Sequence, residues 1–163
     1  MKLHIYGGPG SGKTTLGLEY SRRYKLKYLD LDSIFWDQRN GKYTKINSVE
    51  VRQYALKKFI ENNENWVIEG VYIDWVYDSL SQADKILILN TNSLVRGYRI
   101  IKRYIFRKKN KSKKAETLKS LVQLLIWNFK FQNKLKRNIN RMKTLYERKV
   151  KIIKNTNYEP DEL

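Results

Sequence analysis

The sequence predicts an α/β fold: a parallel sheet covered by helices on both faces. Three observations carry that prediction. Short apolar runs alternate with stretches of helical periodicity, as in successive βαβ units. The first run passes straight into a glycine-rich loop and then a helical pattern. Finally, 163 residues with 41% hydrophobic and 31% charged content, 8 Gly and 2 Pro describe one folded domain, 1–163, rather than a disordered or low-complexity chain.

The elements follow in order. Residues 2–6 form a short apolar segment that ends at Gly7, as a buried strand ends in a loop. From Lys13 the pattern becomes helical, with Leu16, Tyr20 and Tyr24 spaced by four. A second strand is predicted over 27–31 and a helix over 49–59, with apolar residues at Val49, Val51, Tyr54, Ala55, Leu56, Phe59 and Ile60. The third strand, 66–68, runs into Glu69 and Gly70, the fourth is KILIL at 85–89, and the fifth is 150–153. Unbroken apolar runs of this length suit strands buried on both faces. Two long helical stretches follow the fourth strand, from Ser93 to about Arg107 and from about Ala115 to Tyr146. In the second, Leu118, Val122, Leu125 and Phe129 and then Leu135, Ile139, Met142 and Tyr146 recur every three or four residues. The intervening KKNKSKK has no apolar anchor and reads as a loop.

Composition excludes several chemistries. With no Cys and one His there is no disulfide framework, thiolate zinc site or multi-histidine centre, so any metal is held by oxygen. His4, inside the first strand, reads as a core residue. No window reaches the about 18 apolar residues of a membrane span, and the N-terminus lacks a secretory apolar core. A cytoplasmic protein without a membrane partner is expected, of unspecified oligomeric state.

The formal charge of +18 is unevenly spread. Residues 1–93 hold 13 Lys/Arg against 11 Asp/Glu, residues 94–154 hold 21 against 2, and the tail from Asn155 holds three acids. Such asymmetry implies polyanionic partners, among them phosphorylated small molecules, nucleic acid or an anionic membrane surface, with a merely solvated basic face as the alternative. No recognition helix or stacking platform marks the basic half, so any nucleic-acid binding is expected to be weak, salt-sensitive and sequence-independent.

Gly7 to Thr14 read GGPGSGKT, a match to G-x-x-x-x-G-K-[ST] at every fixed position. Gly7, Gly8, Gly10 and Gly12, with Pro9 and Ser11 between them, let the backbone wrap a phosphate with its N–H groups inward, and the following helix N-terminus adds partial positive charge. Lys13 is expected to reach the β and γ phosphates of ATP, Thr14 to offer a hydroxyl to Mg²⁺, and Thr15 to continue the site into the helix. The motif is common to phosphoryl transfer, motor hydrolysis and nucleotide sensing. A chain this short fits a compact kinase best.

The chain as a whole resembles the small P-loop kinases of the adenylate kinase and shikimate kinase type, and among them the bacterial topology modulation proteins. The resemblance rests on GGPGSGKT, YLDLDSIFW ending at Trp36, WVIEGVY from Trp66, ADKILIL from Ala83, LVRGYRIIKR ending at Arg103 and the helix containing Trp127, and it spans about residues 1–154. It implies a five-stranded parallel sheet in the order 2-3-1-4-5, an acceptor-binding region at about 32–64 and a small basic lid at about 103–118. It also implies that Asp30 and Asp32 hold magnesium or the acceptor. Lid arginines that meet the transferring phosphate would lie among Arg96, Arg99, Arg103 and Arg107. Glu69 stands where this family more often has aspartate before glycine.

The residues themselves agree with those roles while leaving alternatives. Asp30 and Asp32 follow a buried strand and, on an extended segment, would face the same side, one orienting hydrated Mg²⁺ and the other taking the proton of an attacking hydroxyl. Asp32 or Ser33 as a helix cap is the plainer reading. Glu69, at a strand end beside the loop, either holds a metal-bound water or pairs with Lys or Arg. Arg99, Arg103 and Arg107 repeat at i, i+4 and i+8 and share a helix face suited to phosphate, while Arg96 is offset; the alternative is solvated surface. Phe35, Trp36, Tyr43, Trp66, Tyr72, Trp75 and Tyr77 either pack in the core or stack on an acceptor ring. The reading is thus a kinase using ATP and Mg²⁺ on a small molecule, with a nucleotide or nucleoside among the candidates; the alternative is a nucleotide-regulated nucleic-acid-binding protein.

Overall fold

The computed structural model describes residues 1–37, 45–110 and 117–154. Five parallel strands, β1 (Lys2–Gly7), β2 (Lys27–Asp30), β3 (Trp66–Gly70), β4 (Lys85–Asn90) and β5 (Val150–Lys154), form one sheet in the order β2-β3-β1-β4-β5. The helices are α1 (Lys13–Arg23), α2 (Asp32–Phe35), α3 (Val49–Glu61), α4 (Tyr77–Gln82), α5 (Ser93–Lys109) and α6 (Leu118–Tyr146). Each expected strand and long helix is present to within a few residues; α4, six residues long, has no clear period in the sequence.

Strand alternation sorts the core onto two faces. Leu3, Ile5, Leu87 and Leu89 pack with Leu16 and Tyr20 of α1 on one face. Tyr6, Ile68, Ile86 and Ile88 pack on the other with Leu56 of α3, Leu80 of α4 and Phe131, Leu135, Ile139 and Met142 of α6. His4 lies on this second face, fully buried, with Nδ1 3.0 Å from Ser79 Oγ, and burial lowers its pKa to about 3. It is a neutral core residue, as expected.

Three of the helices, α3, α5 and α6, begin where side chains accept from free backbone N–H groups. Ser48 caps α3 through Val51 N, Asn92 caps α5 through Leu94 N at 2.8 Å, and Thr117 caps α6 through Ser120 N at 3.1 Å. α3 forms where expected, and its apolar positions divide between two faces. Val49, Val51 and Tyr54 are exposed, and the inner face is built by Arg52, Leu56 and Ile60. The stripes of α6 divide likewise: Leu135, Ile139 and Met142 enter the core, whereas Leu118, Val122 and Phe129 stay exposed.

β1 has β3 on one side and β4 on the other, so the chain reverses its direction of winding at β1. Ligands of open α/β sheets bind at the carboxyl ends of strands where the winding reverses. The glycine-rich loop leaves β1 at that point. The lid range 103–118 is the end of α5 and the start of α6, with 111–116 outside the described residues; 38–44 of the acceptor region, including Tyr43, and the tail 155–163 are outside them as well. No helix among the described residues is long and apolar enough to cross a membrane.

Candidate functional site

The loop from Gly7 to Gly12 turns the chain from β1 into α1. Gly10 and Gly12 take φ of 70° and 99°, left-handed values that side chains resist. Gly8 is required by proximity: a Cβ there would lie 1.5 Å from Nη1 of Arg96. Pro9 and Ser11 are buried in the turn, while Thr14 and Thr15 face outward from the first turn of α1. Lys13 is 9% exposed and its Nζ donates to Gly8 O at 3.1 Å, closing the loop on itself. Burial lowers the pKa of this ammonium, an effect opposed by the negative charges of Glu69, Asp32 and Asp30.

Those carboxylates converge at the strand ends. Asp30 and Glu69 are register partners across β2 and β3. Glu69, 2% exposed, accepts on Oε1 from Thr14 Oγ1 at 2.7 Å and from the Tyr28 hydroxyl at 2.9 Å. Its hydrogen-bond partners among the described residues are thus hydroxyls, while its charge also acts on the buried Lys13 ammonium. Burial, reinforced by the Glu69 charge, pushes the Asp30 carboxyl up to about 6.

Asp30 and Asp32 do not lie on one extended segment, because Leu31 takes helical angles (φ −62°, ψ −24°) and starts α2. Instead, Asp30 Oδ1 accepts from Asp32 N at 2.9 Å, bracing the turn. Asp32 is not the cap of α2: its position is the first helical residue, and its Oδ1 accepts from the Tyr72 hydroxyl at 2.7 Å. Burial and the Asp32 charge push the Tyr72 hydroxyl pKa upward, so Tyr72 remains a donor at neutral pH.

Beside Asp32 the aromatics form a wall. Phe35 stacks on Tyr72 with centroids 4.4 Å apart and planes 18° apart, and Trp36 and Trp75 pack against this pair. Trp66 is instead fully buried in the core, and Tyr77 is exposed. Arg52, 9% exposed, places its guanidinium 4.7 Å from the Phe35 centroid and 5.1 Å from that of Trp75. Its Nε donates to Ser48 O at 3.3 Å. Among the described residues no carboxylate pairs with it. A planar cation held against two rings is suited to a ligand's phosphate or carboxylate. The sequence reading missed Arg52, because an arginine within an apolar periodic helix looks like its solvent face; Tyr28, two residues before Asp30 on the same strand, was missed too.

The four arginines of α5 divide. Arg96 is fully buried behind the loop, and its Nη2 donates to Asn128 O at 3.2 Å and Gln132 Oε1 at 2.8 Å. It is a wedge between loop and α6 rather than a lid residue, and burial lowers its pKa. Arg99 donates from Nη1 to Ser11 O at 3.3 Å and borders a cleft of about 270 Å³ shared with Gly12, Thr15, Leu89 and Ile153. Arg103 and Arg107 continue the same helical face, half-buried.

The donors near the loop, the Thr14 hydroxyl and the Asp30 and Glu69 carboxylates, are all oxygen, the ligand type that Mg²⁺ prefers. Two neighbouring carboxylates, one with a raised pKa, carry excess negative charge that a divalent cation would relieve. The residues therefore fit the ion. Polyphosphate would meet Lys13, the loop amides and Arg99.

No family model matches the chain. It is 32% identical over 87 residues to the uncharacterized protein YqaC of Bacillus subtilis (strain 168), which is 53% of this chain and 47% of that protein. It is 29% identical over 114 residues to a cytidylate kinase of Sulfolobus acidocaldarius and 28% identical over 114 residues to one of Methanocorpusculum labreanum, 63% of this chain in each case. The chain spans about half the length of the first relative and 62% and 63% of the two kinases. The G-x-x-x-x-G-K-[ST] loop between strand and helix, the sheet order β2-β3-β1-β4-β5 and the sequence similarity to two cytidylate kinases make the chain similar to P-loop nucleotide kinases.

Proposed function

We propose that the chain is a cytoplasmic ATP-dependent phosphotransferase whose acceptor is a small molecule, with nucleotides and nucleosides the leading class. The observation that carries this reading is the convergence of Lys13 and Thr14 of the loop on the strand-end carboxylates Asp30 and Glu69, with Asp32, Tyr72 and Arg52 alongside. The similarity to two cytidylate kinases supports it.

In this reading Gly7 to Thr15 cradle the polyphosphate, and the cleft beside Arg99 takes the nucleoside end. Lys13 exchanges the Gly8 carbonyl for phosphate oxygens and neutralises charge between the β and γ positions. Thr14, Asp30 and Glu69 would hold Mg²⁺, directly or through water. When bound, the ion screens phosphate charge and orients the γ group. Asp32, oriented by Tyr72, aligns the acceptor oxygen and takes its proton where that oxygen is a hydroxyl. The acceptor oxygen bonds to the γ phosphorus as the bond to the bridging oxygen breaks, and ADP leaves. Arg99, Arg103 and Arg107 meet the charge of the transferring group, and Arg52 holds an anionic end of the acceptor. The region 32–64 is then the acceptor side and 103–118 the lid of a single domain, with positioning and charge neutralisation supplying most of the rate.

Titration calorimetry of ATP with Mg²⁺ tests the nucleotide half of this reading. The wild type is expected to bind, and Lys13→Ala to lose or greatly weaken binding while keeping its circular dichroism. Wild-type affinity in a folded Lys13→Ala protein would sink it.

A further inference from the structure

The outward face of the α5–α6 hairpin is apolar, although an outward face should be polar. On α5, Leu94, Tyr98, Ile101 and Ile105 fall at i, i+4, i+7 and i+11 and are each at least 40% exposed. On α6, Leu118, Val122, Leu125 and Phe129 repeat the same spacing; Leu125 is half-buried and the others are at least 48% exposed. The helices run antiparallel, with Asn128 Nδ2 donating to Ser93 O at 2.9 Å and Gly97 packed against Leu125 and Asn128. That register sets Leu94 level with Phe129, Tyr98 with Leu125, Ile101 with Val122 and Ile105 with Leu118. The result is a four-rung apolar ladder about 16 Å long across two helices about 9 Å apart. Single exposed apolar residues are ordinary, but a contiguous patch of this kind marks an interaction surface.

Charge selects the occupant. Neither helix contains an Asp or Glu, while each carries seven Lys or Arg. Lys102 and Lys109 flank the α5 stripe, Lys119 and Lys130 flank that of α6, and all four are exposed. A second copy of the chain would bring equal positive charge with no carboxylate to meet it. Nucleic acid would satisfy the lysines but leave the isoleucines and leucines without an apolar partner. An anionic lipid surface satisfies both, taking the apolar ladder into the acyl boundary and the lysine ammonium groups among its headgroups.

We propose that the α5–α6 hairpin docks this protein on anionic membrane surfaces, lying on the bilayer rather than crossing it. The proposal departs from the sequence-based expectation of no membrane partner and takes up the anionic membrane surface that the charge asymmetry allows. The opposite face of α5 carries Arg99, Arg103 and Arg107, so docking leaves the loop side free.

The test is sedimentation of the full chain with vesicles of phosphatidylcholine alone and of phosphatidylcholine mixed equally with phosphatidylglycerol. Wild type should sediment with the anionic vesicles only, and less so as salt rises. Leu94→Ser/Tyr98→Ser, two rungs outside the lid range, should weaken that binding about tenfold or more with ATP affinity unchanged. Lys102→Gln/Lys119→Gln, which leaves the ladder intact, should also weaken it and serves as a second probe if the first variant misfolds. The proposal fails if wild type ignores anionic vesicles, if removing the ladder leaves binding unchanged so that charge alone acts, or if light scattering shows a dimer that the serine variant dissociates.

Discussion

Gly8 is the position where a single methyl group should do the most damage, and the size of the effect follows from contacts around Arg96. A Cβ at Gly8 would sit 1.5 Å from Nη1, 2.7 Å from Cζ of Arg96 and 3.1 Å from Cδ1 of Phe131. Relieving the overlap means moving the guanidinium by about 2 Å, to an ordinary contact of about 3.5 Å. Arg96 is fully buried and tied to Asn128 and Gln132, so it has no open space to enter without breaking those bonds. Overpacking costs about 1–3 kcal/mol and each lost bond from a charged donor about 1.5–3. Partial relaxation brings the expectation for Gly8→Ala to about 3 kcal/mol, or about 6–12 °C in Tm for a domain of this size. Urea unfolding gives the midpoints, and a double-mutant cycle isolates the cause. In an Arg96→Ala background, where the methyl meets space, Gly8→Ala should cost less than about 1 kcal/mol, a coupling of about 2 kcal/mol. A Gly8→Ala protein as stable as wild type, or a penalty equal in both backgrounds, would refute the wedge.

The remaining predictions concern the acceptor side. Asp30 titrates near 6 in the fold against an ordinary 3.8, so its contribution to stability is fully present below about pH 4 and lost as pH rises through 6. Asp30→Asn keeps the acceptor for Asp32 N and should therefore be more stable than wild type by about 1–2 kcal/mol above pH 6, after allowance for solvent screening, and no more stable below about pH 4, as read by urea unfolding across pH. Asp32→Asn should lower turnover by about two to four orders of magnitude with ATP affinity nearly intact and little change in the thermal melt, since its side chain does not cap α2; unchanged turnover would remove Asp32 from the chemistry. Arg52→Gln should raise the KM of an anionic acceptor about tenfold or more and leave ATP affinity alone, and an unchanged KM would return Arg52 to a packing role.

Much of the scaffold was legible because its signals are local. Buried parallel strands such as KILIL announce themselves as unbroken apolar runs, and GGPGSGKT fixes a turn between strand and helix through residues adjacent in the chain. What could not be read depends on which surface a periodic face meets. The stripes Leu118–Val122–Leu125–Phe129 and Leu135–Ile139–Met142 look alike in sequence, yet only the second has a sheet beneath it. Arg96 and Arg99 are three residues apart on one helix, and only the tertiary placement of α6 makes one a buried wedge and the other a border of the cleft beside Gly12 and Thr15. Arg52 was hidden for the same reason, since its apolar surroundings come from α2 and the segment after β3 rather than from its own helix. The turn at Leu31 separated Asp30 from Asp32 because a four-residue helix leaves almost no period to detect.

The central claim, phosphoryl transfer from ATP to a small molecule, is tested most directly by measuring ADP release with Mg²⁺ across a panel of nucleosides, nucleotides and other small acceptors. The account predicts that at least one acceptor raises ADP formation well above the rate in water and carries the missing phosphate in equal amount. ATP that binds but yields ADP at the same slow rate with every acceptor would contradict it.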